Sequence, residues 1–242
     1  MRALVVADVH ANLEALHAVL EDAQRRGGFD VIWCLGDTVG YGPDPVACLD
    51  LLRQHNLVAV AGNHDHAAIG KRTIEDFNYA AAEAARWTAR QLSTEVSSFL
   101  ASLPLVATAE PFTLVHGTLR DPISEYLLNL DAARSTFELL RTRYCLVGHS
   151  HIPFLCLDDD HPRFGEFPEN QPWELGEERW IINPGSAGQP RDRDPRPSYA
   201  LYDSQPGTIA RHRVAYNIAE TQEKMRRAGL PPVLIDRLNH GW

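Results

Sequence analysis

An α/β fold built on parallel strands follows from three features of the sequence. Short apolar runs alternate with stretches of helical periodicity, the runs end in polar loops, and the first two runs are separated by a helix-length segment of the kind that makes a right-handed crossover. With 242 residues and 44% hydrophobic content, the chain has ample material for a buried core. No stretch has the Gly/Ser composition of a flexible linker, so residues 1–242 are read as one domain.

The first run, Ala3 to Val6, leads into Ala7-Asp8-Val9-His10. A strand's period of two places Asp8 and His10 on one side, where they read either as a metal-binding pair or as a plain turn with Asp8 capping the next helix. Leu13, Leu16, Leu20 and Ala23 then fall on one helical face, with Asn12 as N-cap and Gly27-Gly28 as terminator; His17 is expected to pack near that face. Val31 to Leu35 reads as a second buried strand, ending in Gly36-Asp37-Thr38-Val39-Gly40. Ligands collect at the C-terminal ends of strands in open α/β sheets, which directs attention to Asp37. A helix from Pro45 to about His55 and a strand from Val58 to Ala61 follow, and the strand ends in the polar loop Gly62-Asn63-His64-Asp65. Residues 69–100 are alanine-rich and predict two or more covering helices, with Trp87, Leu92 and Phe99 as packing anchors.

In the second half, Phe112 to Val115 ends in His116-Gly117, and a helix runs from an N-cap at Asp131 to about Arg143. The strand Tyr144 to Val147 ends in Gly148-His149-Ser150-His151, two imidazoles one residue apart. Phe154 to Leu157 and Trp180 to Ile182 read as strands flanking residues 158–179, whose acidic composition predicts a solvent-exposed hairpin insert. Tyr199 to Tyr202 and Ile209 to Val214 are the last strands, and residues 217–242 are read as one or two closing helices.

Composition narrows the function classes. A formal charge of -9 and a pI near 5.6 argue against an extended nucleic-acid interface. Cys34, Cys48, Cys145 and Cys156 show no C-x-x-C spacing and are read as buried reduced thiols. No apolar run approaches the roughly 18 residues that span a bilayer, and no signal-peptide pattern follows Met1, so a cytoplasmic location is expected.

The side chains at predicted strand ends are Asp8, His10, Asp37, Asn63, His64, His116, His149 and His151. This mixed nitrogen and oxygen set suits Mn²⁺, Fe²⁺, Zn²⁺, Ni²⁺ or Co²⁺, and the lack of thiolates argues against a structural zinc site. The candidates are too many for one tetrahedral ion, so two divalent ions sharing one carboxylate are expected.

Taken in order, Asp8-Val9-His10, Gly36-Asp37-Thr38-Val39-Gly40, Gly62-Asn63-His64-Asp65, His116-Gly117 and Gly148-His149-Ser150-His151 resemble the five signatures of the calcineurin-like metallophosphoesterases. The resemblance implies a four-layer αββα sandwich of two mixed sheets. It makes Asp8, His10 and His151 ligands of one metal and Asn63, His116 and His149 ligands of the other, with Asp37 bridging. Asp8 and Asp37 leave two divalent ions under-neutralised, a net positive pocket for phosphate, and metal-bound hydroxide attacks phosphorus without a protein nucleophile. His64 is then placed to protonate the leaving oxygen or bind the phosphoryl group.

Gly40 and Tyr41 stand where the phosphoprotein phosphatase branch carries Asp and Arg, which weakens a phosphoprotein substrate. Asp65 is a candidate to orient His64 instead. The stretches 40–45 and 183–191 resemble a bacterial branch labelled phosphodiesterase or diadenosine tetraphosphatase-like, with Arg191 as a candidate phosphate-binding residue. The expectation is a dinuclear phosphoesterase acting on phosphodiester or phosphoanhydride bonds of a small nucleotide-like substrate. Asymmetric diadenosine tetraphosphate hydrolysis, phosphoprotein phosphatase activity and a non-catalytic scaffold of the same fold are the alternatives.

Overall fold

A computed structural model describes residues 1–242. In chain order the elements are β1 (Arg2–Val6), α1 (Leu13–Arg25), β2 (Val31–Cys34), α2 (Pro45–Arg53), β3 (Leu57–Ala59), α3 (Asn63–Ala68), α4 (Tyr79–Gln91), α5 (Thr94–Ser102), β4 (Val106–Ala109) and β5 (Phe112–Val115). There follow α6 (Leu130–Leu139), β6 (Tyr144–Leu146), β7 (Phe154–Leu157), β8 (Arg163–Gly165), β9 (Pro172–Glu174), β10 (Trp180–Asn183), β11 (Ser198–Asp203), β12 (Thr208–Arg213), α7 (Ile218–Arg227) and α8 (Pro232–Asp236).

The strands form two mixed six-stranded sheets, ordered β3-β2-β1-β11-β12-β9 and β4-β5-β6-β10-β7-β8. Within the first, β1, β2 and β3 are parallel; within the second, β5, β6 and β10 are parallel. Alternation along the strands decides which side chains go where. In β1, Ala3 and Val5 face the second sheet in a core shared with Trp33, Phe112, Leu146, Ile182 and Tyr202, whereas Leu4 and Val6 face α1 and α2 through Leu16, Val19, Leu20 and Leu52. The outer face of the second sheet buries Cys145, Cys156 and Ile181 against Ala132, Ala133 and Phe137 of α6. Helices thus cover both outer faces, giving the αββα sandwich, with the C-terminal ends of β1, β2, β3, β5 and β6 carrying all five polar motifs.

Several local expectations are corrected. Residues 158–179 do not form one exposed hairpin insert. β8 pairs with β7 at the edge of the second sheet, while β9 pairs with β12 at the edge of the first. Phe167 and Leu175, 0% and 1% exposed, plug the core between the sheets, and the surrounding charges masked these two anchors. The N-cap of α6 is Asn129, whose side chain accepts from the Ala132 N–H at 2.9 Å; Asp131 lies in the first turn, where its charge favours the helix dipole. Gly62 caps α3, so Asn63, His64 and Asp65 occupy a helical turn and not a loop. His17 is exposed, not packed, and the short edge strand β4 went unread because its four residues carry no clear alternation. The four cysteines are free and buried, and no helix is long and apolar enough to cross a membrane.

α7 packs on α1 through polar contacts that close the chain on itself. Thr221 Oγ1 donates to Glu14 at 2.8 Å, and Lys224 reaches Glu14 and, at 3.0 Å, Asp44. Asn12, the N-cap of α1, donates to the Gly188 carbonyl at 2.9 Å and to the Tyr216 hydroxyl at 3.1 Å, tying α1, the 184–190 turn and the approach to α7 together beneath the first motif.

Candidate metal centre

The motif side chains converge through an unusual backbone and not through the pleat of a strand. Asp8, His10, Asp37, His149 and His151 all have positive φ, between 47° and 64°. β-carbon crowding makes that region uncommon for any residue but glycine, Asp and His entering it more readily than most, and its recurrence at five motif positions marks a conformation held by the surrounding structure. Backbone hydrogen bonds supply the restraint: His10 N–H donates to the Asp37 carbonyl at 2.9 Å, Gly148 N–H to the His116 carbonyl at 2.9 Å, and Gly188 N–H to the Asp8 carbonyl at 3.0 Å. Two glycines are required by close approach. A β-carbon at Gly188 would lie 1.8 Å from the Val9 carbonyl oxygen, and one at Gly62 would lie 2.1 Å from Asp37 Oδ1.

Two clusters result. In one, His10 Nε2 and His151 Nε2 are 3.1 Å apart, His10 Nε2 is 3.6 Å from Asp37 Oδ2, and His151 Nε2 is 3.5 Å from Asp8 Oδ1. In the other, His116 Nε2 is 3.1 Å from His149 Nδ1, 3.0 Å from Asn63 Oδ1 and 3.4 Å from Asp37 Oδ2. Asp37 Oδ2 therefore adjoins both groups. The two neighbouring histidines of the fifth motif do not face one point: His149 joins one cluster and His151 the other.

The opposite ring nitrogens explain what the converging atoms are. His10 Nδ1 lies 3.2 Å from the Val39 carbonyl and His116 Nδ1 2.8 Å from that of Leu35. His149 Nε2 lies 3.1 Å from the Ser124 carbonyl and His151 Nδ1 2.5 Å from that of Gln189. A carbonyl only accepts, so each of these outer nitrogens carries a proton, and on every neutral ring the inward nitrogen presents a lone pair. Lone pairs facing lone pairs at 3.1 Å repel unless a cation or proton sits between them. Asp8 Oδ2 is, in addition, a fully enclosed carboxylate oxygen with no hydrogen-bond partner. The donor set, nitrogen and carboxylate oxygen without thiolate, fits borderline divalent ions.

Protonation follows the same pattern. Burial pushes His10 and His151 well below the ordinary imidazole value and takes His149 to about 3, so these rings are neutral. Burial would raise Asp37, but the protonated His116 beside it outweighs that and holds the carboxyl well below the usual range. Burial raises Asp8 to about 7, Asp37 adding to the effect and His116 opposing it. On His116 burial acts downward, yet the neighbouring Asp37 and Asp8 raise it to about 9, so the cation-free cluster holds a proton there.

His64 stands apart from both clusters. Its ring packs 4.3 Å from Tyr41, 4.8 Å from Phe77 and 4.9 Å from His10, and burial lowers it to about 4, leaving it neutral. Its Nδ1 is enclosed without a partner, so the proton is more stable on Nε2. Asp65 does not touch this ring. Its Oδ2 accepts from Asp37 N–H and Gly62 N–H, both at 2.9 Å, and its Oδ1 accepts from Val39 N–H at 3.1 Å, bracing the Asp37 loop. Arg191 is half-buried at the rim, donating to Gln189 Oε1 at 3.1 Å and to the Tyr41 hydroxyl at 3.4 Å, with Nε enclosed and unpartnered. Ser124 and Tyr126 were missed by sequence reasoning, and Tyr41 and Gln189, within the stretches 40–45 and 183–191, were given no part in the site. Their contacts arise only when distant loops meet.

Comparison with known proteins places the chain. The family model described as the calcineurin-like phosphoesterase superfamily domain matches residues 1–207. A metallophosphoesterase of Sphaerobacter thermophilus has a crystal structure that superposes with a TM-score of 0.90 at 44% identity, covering 100% of this chain and 99% of that one. An uncharacterized protein of Methanocaldococcus jannaschii is 37% identical over 241 residues, 97% of this chain and 96% of that protein. A symmetrical bis(5'-nucleosyl)-tetraphosphatase of Glaesserella parasuis is 27% identical over 186 residues, 74% of this chain and 64% of that protein.

Proposed function

The chain belongs to the calcineurin-like phosphoesterase superfamily, and on that premise we propose that it is a two-metal hydrolase of phosphodiester or phosphoanhydride bonds in a small, nucleotide-like substrate. The observation that carries the reading is the pair of clusters, each with two inward ring nitrogens 3.1 Å apart and both adjoining Asp37 Oδ2. In this reading Asp8, His10 and His151 hold one divalent ion, Asn63, His116 and His149 hold the other, and Asp37 serves both. The ions, once bound, supply positive charge at the phosphoryl oxygens and lower the pKa of water towards about 7.

The chain's own residues do the rest. The Leu35, Val39, Ser124 and Gln189 carbonyls fix the imidazole tautomers. His64, neutral with its proton on Nε2, hydrogen-bonds the oxygen that departs from phosphorus, and the proton that oxygen takes up comes from the attacking water. One bond from a water oxygen to phosphorus forms, one phosphorus–oxygen bond breaks, and a proton goes to the departing oxygen. Arg191, with an unpartnered N–H and only neutral acceptors, is the cation that grips the phosphoryl group. Residues 1–242 act as one domain, with the segment from 217 closing over the first motif.

The test is a Mn²⁺-supplemented screen of cyclic nucleotides, dinucleoside polyphosphates, aryl diesters and phosphopeptides, with products identified. Turnover of diesters or anhydrides by the loaded protein, lost in Asp37→Asn, is the expected outcome. An inert loaded protein indistinguishable from Asp37→Asn sinks the enzyme reading in favour of a scaffold, and efficient turnover of phosphopeptides alone overturns the substrate class.

A further inference from the structure

An open cavity of about 250 Å³ adjoins the metal clusters on the side of Asn63 and His149. Its aromatic walls are Tyr41, Phe77 and Tyr126. Tyr126 stacks on the His149 ring at 3.9 Å and 11° between planes, yet it is 44% exposed. Phe77 lies against the His64 ring, with centroids 4.8 Å apart. Arg72 bonds Ser124 and Asp76 together, clipping the loop after α3 to the loop after β5, and its guanidinium lies 5.7 Å over the Phe77 ring. Because Asp76 neutralises Arg72, the cavity offers ring faces and hydrogen-bonding groups, not a second concentrated anion site.

His64 lines this cavity. If His64 donates to the departing oxygen, then whatever that oxygen carries must lie within the same space, since a hydrogen bond allows only about 2.6–3.2 Å between the heavy atoms. The volume is below the roughly 300–1,000 Å³ of a site for a whole drug-sized ligand, and it suits a single flat ring system. Large amphipathic rings held at low entropic cost are the usual surface for stacking a base or aryl group.

We infer that this cavity is the leaving-group subsite, taking a flat aromatic group joined to the departing oxygen, with Tyr126 and Phe77 as the surfaces that recognise the ring. The inference rests on the phosphoesterase reading and narrows its substrate class to esters or anhydrides with a nucleoside or aryl group on the departing side.

The test uses probes without phosphate, so that binding does not run through the metals. Adenosine and ribose are titrated into the Mn²⁺-loaded full chain by calorimetry, and into the chelator-treated chain by NMR. Adenosine is expected to bind at least about 10-fold more tightly than ribose, a difference of about 1.4 kcal/mol. Tyr126→Ala should erase most of that preference and Tyr126→Phe should restore it, while metal content stays at two ions and binding of inorganic phosphate is unchanged. Phe77→Ala should reduce the preference independently of any contact with His149. In hydrolysis, kcat/KM of Tyr126→Ala should fall by a larger factor for an aryl leaving group than for an alkyl one, and equal falls for the two overturn the inference. Equal binding of adenosine and ribose, or a preference insensitive to both Tyr126→Ala and Phe77→Ala, overturns the inference while leaving intact an enzyme that still turns over. A wild-type protein that hydrolyses no phosphate ester overturns both.

Discussion

Asp65 offers a direct test of how the metal centre is held, because its carboxylate is the only acceptor for three buried backbone donors. Replacing it with Ala leaves the N–H groups of Asp37, Val39 and Gly62 unpaired where Asp65 now accepts them at 2.9, 3.1 and 2.9 Å. An orphaned buried donor costs about 1–3 kcal/mol; allowing for water entering the space left by the side chain, the expected loss is about 3–5 kcal/mol of unfolding free energy. Asp65→Asn keeps one carbonyl oxygen but turns an N–H₂ towards one of the donors, for a loss of about half that size. The damage should also be local. Asp37 Oδ1 accepts from His64 N–H at 2.8 Å and the Asp37 carbonyl accepts from His10 N–H at 2.9 Å, so a loosened loop shifts a group that both clusters share. Urea unfolding of the chelator-treated protein measures the stability term, and metal content after Mn²⁺ loading and gel filtration measures the positioning term. Asp65→Asn is expected to retain the fold yet bind metal at least about 10-fold more weakly. Stability within about 0.5 kcal/mol of wild type in Asp65→Ala, with two ions retained, would refute the reasoning, since surface-like changes fall in that range.

Three further outcomes follow from the same geometry. Phe112, fully buried among the rings of Trp33, Tyr144 and Tyr202, should cost about 3–5 kcal/mol on truncation to Ala, read by urea unfolding, with metal stoichiometry unchanged. Metal uptake at pH 8 should release about two protons, one from His116, which is raised to about 9, and one from water whose pKa the bound ions lower towards about 7, while His10, His149 and His151 are already neutral; calorimetry in buffers of different ionisation enthalpy counts them, and a count of zero contradicts the assignment. His212, buried in β12 with Nδ1 2.8 Å from Asn170 Oδ1, is lowered by burial to about 4. The unfolded chain therefore takes up its proton first as pH falls below about 6.5, and stability drops progressively towards pH 4 by at most about 3 kcal/mol. His212→Gln should flatten that slope relative to wild type in chelator-treated samples, and parallel curves would show that the ring titrates normally.

The order of residues alone carried the parallel β/α alternation, the ends of most central strands, the cap at Asn12, and which side chains emerge at the strand ends. Those features are local: an apolar run, a cap or a glycine turn acts over a few residues, so the chain's order records them. The sorting of these side chains into two sets was implied only by the family resemblance, and the backbone that achieves it was decided by the tertiary structure. His149 and His151 are neighbours in sequence, yet left-handed backbone at both positions sends them to separate clusters, which strand alternation cannot anticipate. The carbonyls that set the tautomers come from 81 residues away for His116 and 38 for His151. Phe167 and Leu175 leave an acidic stretch to plug the core, and β8 and β9 join different sheets, because partners for an edge strand exist only once both sheets are assembled. The cavity of Phe77 and Tyr126 is likewise made where two loops distant in sequence are clipped together by Arg72, and no spacing within either loop encodes it.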